Sequence, residues 1–191
     1  MPSPKMETAH TSVAAPTLRL SFRPLEMADL PMLHEWQARP HWTEWWGPAP
    51  TLAEVEAEYG AWIADPTKVQ PHIALLDGQP FGYIQSYVAM GSGGGWWEAE
   101  TDPGVRGIDQ SIADAAQLNR GLGTEMVKAF VAKLFADPQV SHIQTDPDPR
   151  NARAIHCYEK AGFRAMRKVQ TPDGMALLMV CERGSSSNAL Q

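Results

Sequence analysis

The chain has 191 residues, 43% of them hydrophobic, and a formal net charge of −6. That length suits one domain with short tails, and the hydrophobic content supports a packed core and excludes a disordered chain. The acidic balance argues against a nucleic-acid partner and suits a cationic ligand, and no apolar run reaches the roughly 18 residues of a membrane span.

Residues 1–16 are polar and rich in Pro, Ala and Ser, without the apolar stretch of a secretory signal, and are expected to form a loose arm. The expected domain is 17–183, with a tail over 184–191 and a cytoplasmic location. The alternation of Leu18, Leu20 and Phe22 predicts a first strand over Thr17–Arg23. A helix is expected over Ala28–Gln37. The aromatic, Pro-rich stretch Arg39–Pro50, with Trp42, Trp45 and Trp46, reads as a loop. Thr51 and Glu54 have the spacing of a capping box, and the helix they start carries a stripe of Leu52, Val55, Tyr59, Trp62 and Ile63.

His72–Leu76 and Phe81–Ala89 read as strands joined at Asp77-Gly78, a favoured hairpin pair. Met90–Gly104 is a glycine-rich loop bearing Trp96, Trp97, Glu98, Glu100 and Asp102. Then come a strand over Val105–Ile112, a glycine turn, a helix over Gly121–Phe135, a strand over Val140–Thr145 and a helix over Asn151–Ala161. The segments Phe163–Thr171 and Met175–Cys181 close a hairpin around Asp173-Gly174. The result is a mixed α/β order with antiparallel hairpins and strand–helix–strand units. Cys157 and Cys181 make neither a disulfide framework nor a zinc site and are expected as buried free thiols, and the histidines lack metal-ligand spacing, so no metal is expected.

The run Asn119-Arg120-Gly121-Leu122-Gly123-Thr124 enters a helix. Glycines there let backbone amides approach a diphosphate, and the positive end of the helix favours negative charge. Alone, it is also an ordinary glycine turn. About thirty residues later stands Asn151-Ala152-Arg153-Ala154-Ile155-His156-Cys157-Tyr158-Glu159-Lys160-Ala161-Gly162-Phe163. Together these segments resemble the signature of the GNAT superfamily, with Leu118 at a position where that signature usually has Gln or Arg. The resemblance implies an α/β fold with a mostly antiparallel central sheet, two splayed strands (Val105–Ile112 and Val140–Thr145) and acetyl-coenzyme A as acyl donor. It further implies a pyrophosphate held by amides around Leu118, Arg120, Gly121, Gly123 and Thr124, with Asn151 on the pantetheine arm. Tyr158 would give a proton to the leaving thiolate; it also reads as a core aromatic of its helix.

A narrower resemblance covers about 18–183. Glu44-Trp45-Trp46-Gly47, Gln85-Ser86-Tyr87-Val88, Trp96-Trp97-Glu98, Gly107-Ile108-Asp109-Gln110, Ile143-Gln144-Thr145-Asp146-Pro147 and Thr171-Pro172-Asp173-Gly174 are similar to aminoglycoside 6′-N-acetyltransferases. It implies an acceptor cleft lined by Trp46, Tyr59, Gln85, Trp96, Trp97, Asp109, Asp146 and Asp173, with Asp109 receiving the amine proton. A multiply charged amino sugar needs such dispersed carboxylates and aromatic faces. Asp146-Pro147 and Asp173-Gly174 are also turn signals, Asp109 also ends a strand, and Tyr59 also lies on its helix's core stripe. Where comparable enzymes carry an acid before the tryptophan pair, this chain has Gly93-Gly94-Gly95. The expected partners are acetyl-CoA and a cationic small molecule, with no nucleic acid and no membrane, the chain being a monomer or weak dimer. Siderophore-related lysine N-acyltransferases share the Ile108-Asp109-Gln110 pattern and are the alternative enzyme reading. A cation-sequestering or acyl-CoA-sensing module is the non-enzymatic one.

Overall fold

The computed structural model describes residues 19–184; the expected arm, Thr17 and Leu18 of the expected first strand, and nearly all of the expected tail lie outside them. A single sheet of seven strands runs in the order β1-β2-β3-β4-β5-β7-β6. Its strands are β1 (Leu20–Pro24), β2 (Val69–Leu76), β3 (Gln79–Val88), β4 (Arg106–Ile112), β5 (His142–Thr145), β6 (Arg164–Thr171) and β7 (Gly174–Glu182). The helices are α1 (Leu30–Gln37), α2 (Pro40–Trp46), α3 (Leu52–Ala64), α4 (Leu122–Phe135) and α5 (Ala152–Lys160). Every strand pair is antiparallel except β4–β5.

Alternation along β3 and β4 sorts their side chains onto two faces. On one face Ile84, Ile108 and Ile112 pack with Met126, Val127 and Phe130 of α4 and with Tyr158 of α5. On the other, Ile73 and Tyr83 pack with Leu30, Leu33, Trp36, Trp42, Val55 and Tyr59 of α1, α2 and α3. The sheet therefore supports two cores, and its middle strands carry polar residues where neither core covers them.

The local signals act as the sequence suggests. Thr51 Oγ1 accepts from Glu54 N at 3.3 Å while Glu54 Oε2 accepts from Thr51 N at 2.7 Å, a reciprocal cap on α3. Such a cap stabilises by about 1 kcal/mol. Asp77 and Gly78 both take left-handed φ, 50° and 81°, which closes the β2–β3 hairpin with the twist its strands require.

Two expectations are corrected. Arg39–Pro50 is not all loop: Pro40–Trp46 is α2, started by a proline whose missing N–H costs nothing in the first turn. Its Trp42 is completely buried, and Trp42 Nε1 donates to Ile112 O at 2.9 Å, tying α2 to the end of β4. Only one of the two cysteines is fully buried: Cys181 is enclosed, whereas Cys157 is half-buried where α5 meets α4, with Thr124 Oγ1 donating to its sulfur at 3.6 Å.

The two α2 tryptophans therefore differ in weight. Trp42→Ala should cost about 3–5 kcal/mol, the range for emptying a buried aromatic site. Trp46, 42% exposed, should cost about 1 kcal/mol or less when changed to Ala. Urea unfolding of both variants checks the contrast.

Candidate active site

β4 and β5 pair only at Arg106↔Ile143 and Gly107↔Gln144. Beyond Gly107 they part, so the β5-facing edge of β4 from Ile108 onward has no strand partner, and its backbone groups are open to an extended ligand. Asp109 lies two residues into this opening, and Asp146 follows the last residue of β5. The parting at the expected pair of strands is thus present.

At one end of the opening the chain turns into α4. Asn119 and Gly121 take φ of 58° and 81°, and the helical ladder begins with Glu125 N donating to Gly121 O at 3.1 Å. The amides of Leu122, Gly123 and Thr124 precede that ladder and are free of helical acceptors. A Cβ on Gly121 would meet no atom within 4 Å, so the space beside the turn at Gly121 is open. Successive amides in such a turn, with the positive helix end, suit a diphosphate. Leu118 contributes differently: its N–H donates to Ala115 O at 3.1 Å and its side chain packs on the α4 core. Asn151 caps α5, its Oδ1 accepting from Ala154 N at 3.0 Å, so its amide nitrogen is the part left for a ligand.

At the other end stands a group of carboxylates. The register places Gln85 opposite Asp109, and Gln85 Nε2 donates to Asp109 Oδ2 at 2.9 Å. Behind this pair, Tyr83 Oη donates to Gln85 Oε1 at 2.5 Å, and Gln37 Nε2 donates to Tyr59 Oη at 2.8 Å. Tyr59 packs edge-on against Tyr83, with ring centres 5.7 Å apart. Tyr59 is thus buried in the core, as its place on the α3 stripe allows, and backs the cleft rather than opening onto it.

Burial pushes the Asp109 carboxyl above its usual range, and the charge of Asp173 adds to this against the opposing Gln85 bond. Asp146 is pushed up to about 8, first by burial and then by the charges of Asp109 and Asp173. Asp173 itself is exposed, on the β6–β7 turn, where Gly174 takes a φ of 122°. The charge of a distant turn thereby reaches both Asp109 on β4 and Asp146 just after β5. Tyr158, buried on α5, belongs to the same field. Burial raises its ionisation far above that of a free tyrosine, and Asp109 and Asp146 raise it further against a bond to Thr145.

The aromatic residues divide. Trp46 is exposed, its ring tilted against Trp42 at 5.4 Å and edge-on to Tyr83 at 6.3 Å. Trp96 and Trp97 are half-buried with ring centres 6.2 Å apart, and Trp97 Nε1 donates to Tyr87 Oη at 3.0 Å. Tyr87, Tyr83 and Gln37 were not singled out from the sequence. The alternation of Tyr83, Gln85 and Tyr87 along β3, on the face opposite Ile84, is the signal that could have found the two tyrosines. Among the described residues no group of His, Cys, Asp and Glu is arranged to hold a metal ion, and no helix is long and apolar enough to cross a membrane.

Residues 26–171 match the acetyltransferase (GNAT) domain family. The chain is 58% identical over 158 residues to the aminoglycoside N(6′)-acetyltransferase type 1 of Klebsiella pneumoniae, covering 81% of this chain and 79% of that protein. A solved structure of AAC(6′)-Ib with paromomycin and acetyl-CoA superposes with a TM-score of 0.85 at 54% identity, over 90% of this chain and 98% of that one. The lysine N-acyltransferase MbtK of Mycobacterium tuberculosis is more distant, 29% identical over 84% of this chain and 76% of that protein. With a divided sheet, a glycine turn entering α4 and a group of carboxylates at the split in one frame, the chain belongs to the GNAT acetyltransferases, among the aminoglycoside 6′-N-acetyltransferases.

Proposed function

We propose that the protein transfers the acetyl group of acetyl-CoA to the 6′-amine of aminoglycosides, and so confers resistance to them. The observation that carries this reading is the pair of buried carboxyls, Asp109 and Asp146, brought together where β4 leaves β5, with the charge of Asp173 acting on both. Like charges held out of water are unfavourable together and favour a cation between them. An acceptor with several ammonium groups satisfies several of them at once.

The residues divide the work as follows. The amides of Arg120, Gly121, Gly123 and Thr124 bind the pyrophosphate, and the amide nitrogen of Asn151 meets the pantetheine arm. Acetyl-CoA supplies a thioester whose acyl carbon the amine attacks. An ammonium group has no lone pair, so its proton must leave first. Asp109, with a carboxyl basicity raised by burial, takes that proton, and Gln85 fixes its orientation. The N–C bond forms, the C–S bond breaks, and the departing thiolate takes a proton from Tyr158. Burial keeps Tyr158 protonated at neutral pH. An ammonium that neutralises Asp109 and Asp146 removes part of what raises Tyr158, moving its proton affinity toward that of a thiol. Asp146 and Asp173 hold ammonium groups, with Trp46, Trp96 and Trp97 as the aromatic walls of the cleft.

Paromomycin carries a hydroxyl where kanamycin carries the 6′-amine. The relative seen with paromomycin and acetyl-CoA makes binding a poor discriminator, whereas turnover separates the two. Coenzyme A release should be rapid with kanamycin and near background with paromomycin, and low with lysine derivatives. Equal release with both drugs would overturn the 6′ assignment. Asp109→Asn keeps the size and the bond to Gln85 within reach but removes the proton acceptor. It should lower kcat by about 10²–10⁴-fold, the usual contribution of a general base, and leave the acetyl-CoA dissociation constant within about threefold. Steady-state kinetics and calorimetric titration separate the two effects.

A further inference from the structure

The tryptophan loop holds one unfavourable backbone position, Trp97, after a run of glycines. Gly93, Gly94 and Gly95 all take left-handed φ, at 79°, 61° and 91°, and Trp97 does so at 51° with a bulky side chain. A non-glycine residue in that region persists only where its surroundings hold it. Within the loop, Trp96 N donates to Gly93 O at 3.0 Å and Glu100 N to Trp97 O at 2.8 Å. Gly95 abuts Pro172: a Cβ at Gly95 would lie 3.3 Å from Pro172 Cγ. The loop therefore leans on the turn that carries Asp173; Ser92 Oγ ties its start to Val88 O of β3 at 3.0 Å, and the tryptophan pair is tied to the sheet by the bond from Trp97 Nε1 to Tyr87 Oη.

Tyr87 is fixed from beneath. It pairs with Gly107 in the register, and a Cβ at Gly107 would fall 1.9 Å from Tyr87 Cζ. The ring thus occupies the space that any side chain at position 107 would need. Gly107 is also the last β4 residue that pairs with β5. The tyrosine stands at the point where the sheet opens, between the carboxylates on the sheet and the tryptophans above it.

We infer that Tyr87 is the positioning residue of the acceptor cleft: seated on Gly107, its hydroxyl holds Trp97 and the strained loop as a wall formed before the acceptor arrives. This rests on the proposed acetyl transfer. Pre-forming the wall removes an ordering cost from acceptor binding and does not touch the donor side. Burial, with the charges of Asp109 and Asp146, keeps the hydroxyl protonated, so it stays a neutral acceptor for the indole N–H.

Tyr87→Phe tests this, because the ring over Gly107 is kept and only the hydroxyl is lost. The KM for kanamycin should rise about tenfold, the effect of leaving one buried indole N–H without an acceptor. The KM for acetyl-CoA should hold within twofold and kcat within threefold. Trp97→Phe should raise the kanamycin KM comparably, and the double variant should be no worse than the worse single one. A readout independent of turnover is the indole N–H resonance of Trp97, whose exchange with solvent should quicken at least tenfold in Tyr87→Phe. A kanamycin KM within twofold of the native value, or unchanged indole exchange, overturns the inference. A parallel worsening of both KM values and of thermal stability does so too, by showing a merely structural role. Should the native protein fail to acetylate kanamycin, the proposed function falls, while indole exchange still decides whether Tyr87 holds the loop.

Discussion

Carboxylates held where a sheet splits are what the rest of this molecule is arranged around. β4 and β5 share only two register pairs, ending at Gly107, and beyond them Asp109 and Asp146 face a cleft without a strand to cover it. Burial raises both carboxyls, the charge of Asp109 raises Asp146 further and that of Asp173 adds to each, which makes the ligand-free site electrostatically unfavourable. In such a site an ammonium group is worth more than in water, because solvent no longer screens it. The same split leaves a free backbone edge beside the acids, so an extended acyl carrier and a cationic acceptor can meet over one strand.

The two cores make this arrangement rigid. The α4 and α5 core positions the glycine turn before α4 and Tyr158 on one side of the sheet. The α1–α3 core presents Tyr59, Tyr83 and Gln37 behind the acids on the other. Tyr83 fixes Gln85, and Gln85 fixes Asp109, so the orientation of the proposed base is set by a buried chain of donors rather than by the ligand. Gln37 donates to Tyr59 while its own Oε1 has no partner among the described residues, so the polar chain behind the acids is incomplete at that end. Trp42 closes the system by donating to Ile112 O, at the end of the strand that carries Asp109.

Much of this was legible in the sequence where a signal is local. The Thr51–Glu54 box, the Asp77-Gly78 turn and the glycine turn entering α4 each need a particular residue at a particular place, and each is present, the last with Gly121 in the left-handed region. The strand and helix order was likewise legible from periodicity. α2 was not, because Pro40 and a run of aromatics look like loop chemistry, and only the burial of Trp42 against β4 reveals a helix. Tyr87 was passed over for a different reason. Its importance lies in the absence of a side chain at Gly107, twenty residues away, and strand register alone brings the two together. Asn151 and Tyr59 have structural partners besides any ligand, since helix capping and core packing use the same side chains that the family resemblance assigns to binding.

The raised carboxyls are the physical heart of the account, and they can be observed directly. Carbon-13 labelling of the aspartate carboxyls and an NMR titration of the ligand-free protein should show Asp146, assigned by Asp146→Asn, titrating well above the ordinary carboxylate range, near pH 8. Adding kanamycin should move that transition down by at least a full pH unit, since a bound ammonium favours the ionised form. If every aspartate of the free protein titrates in the ordinary range, or if kanamycin leaves Asp146 unmoved, the cleft is not the desolvated acidic site on which the account depends.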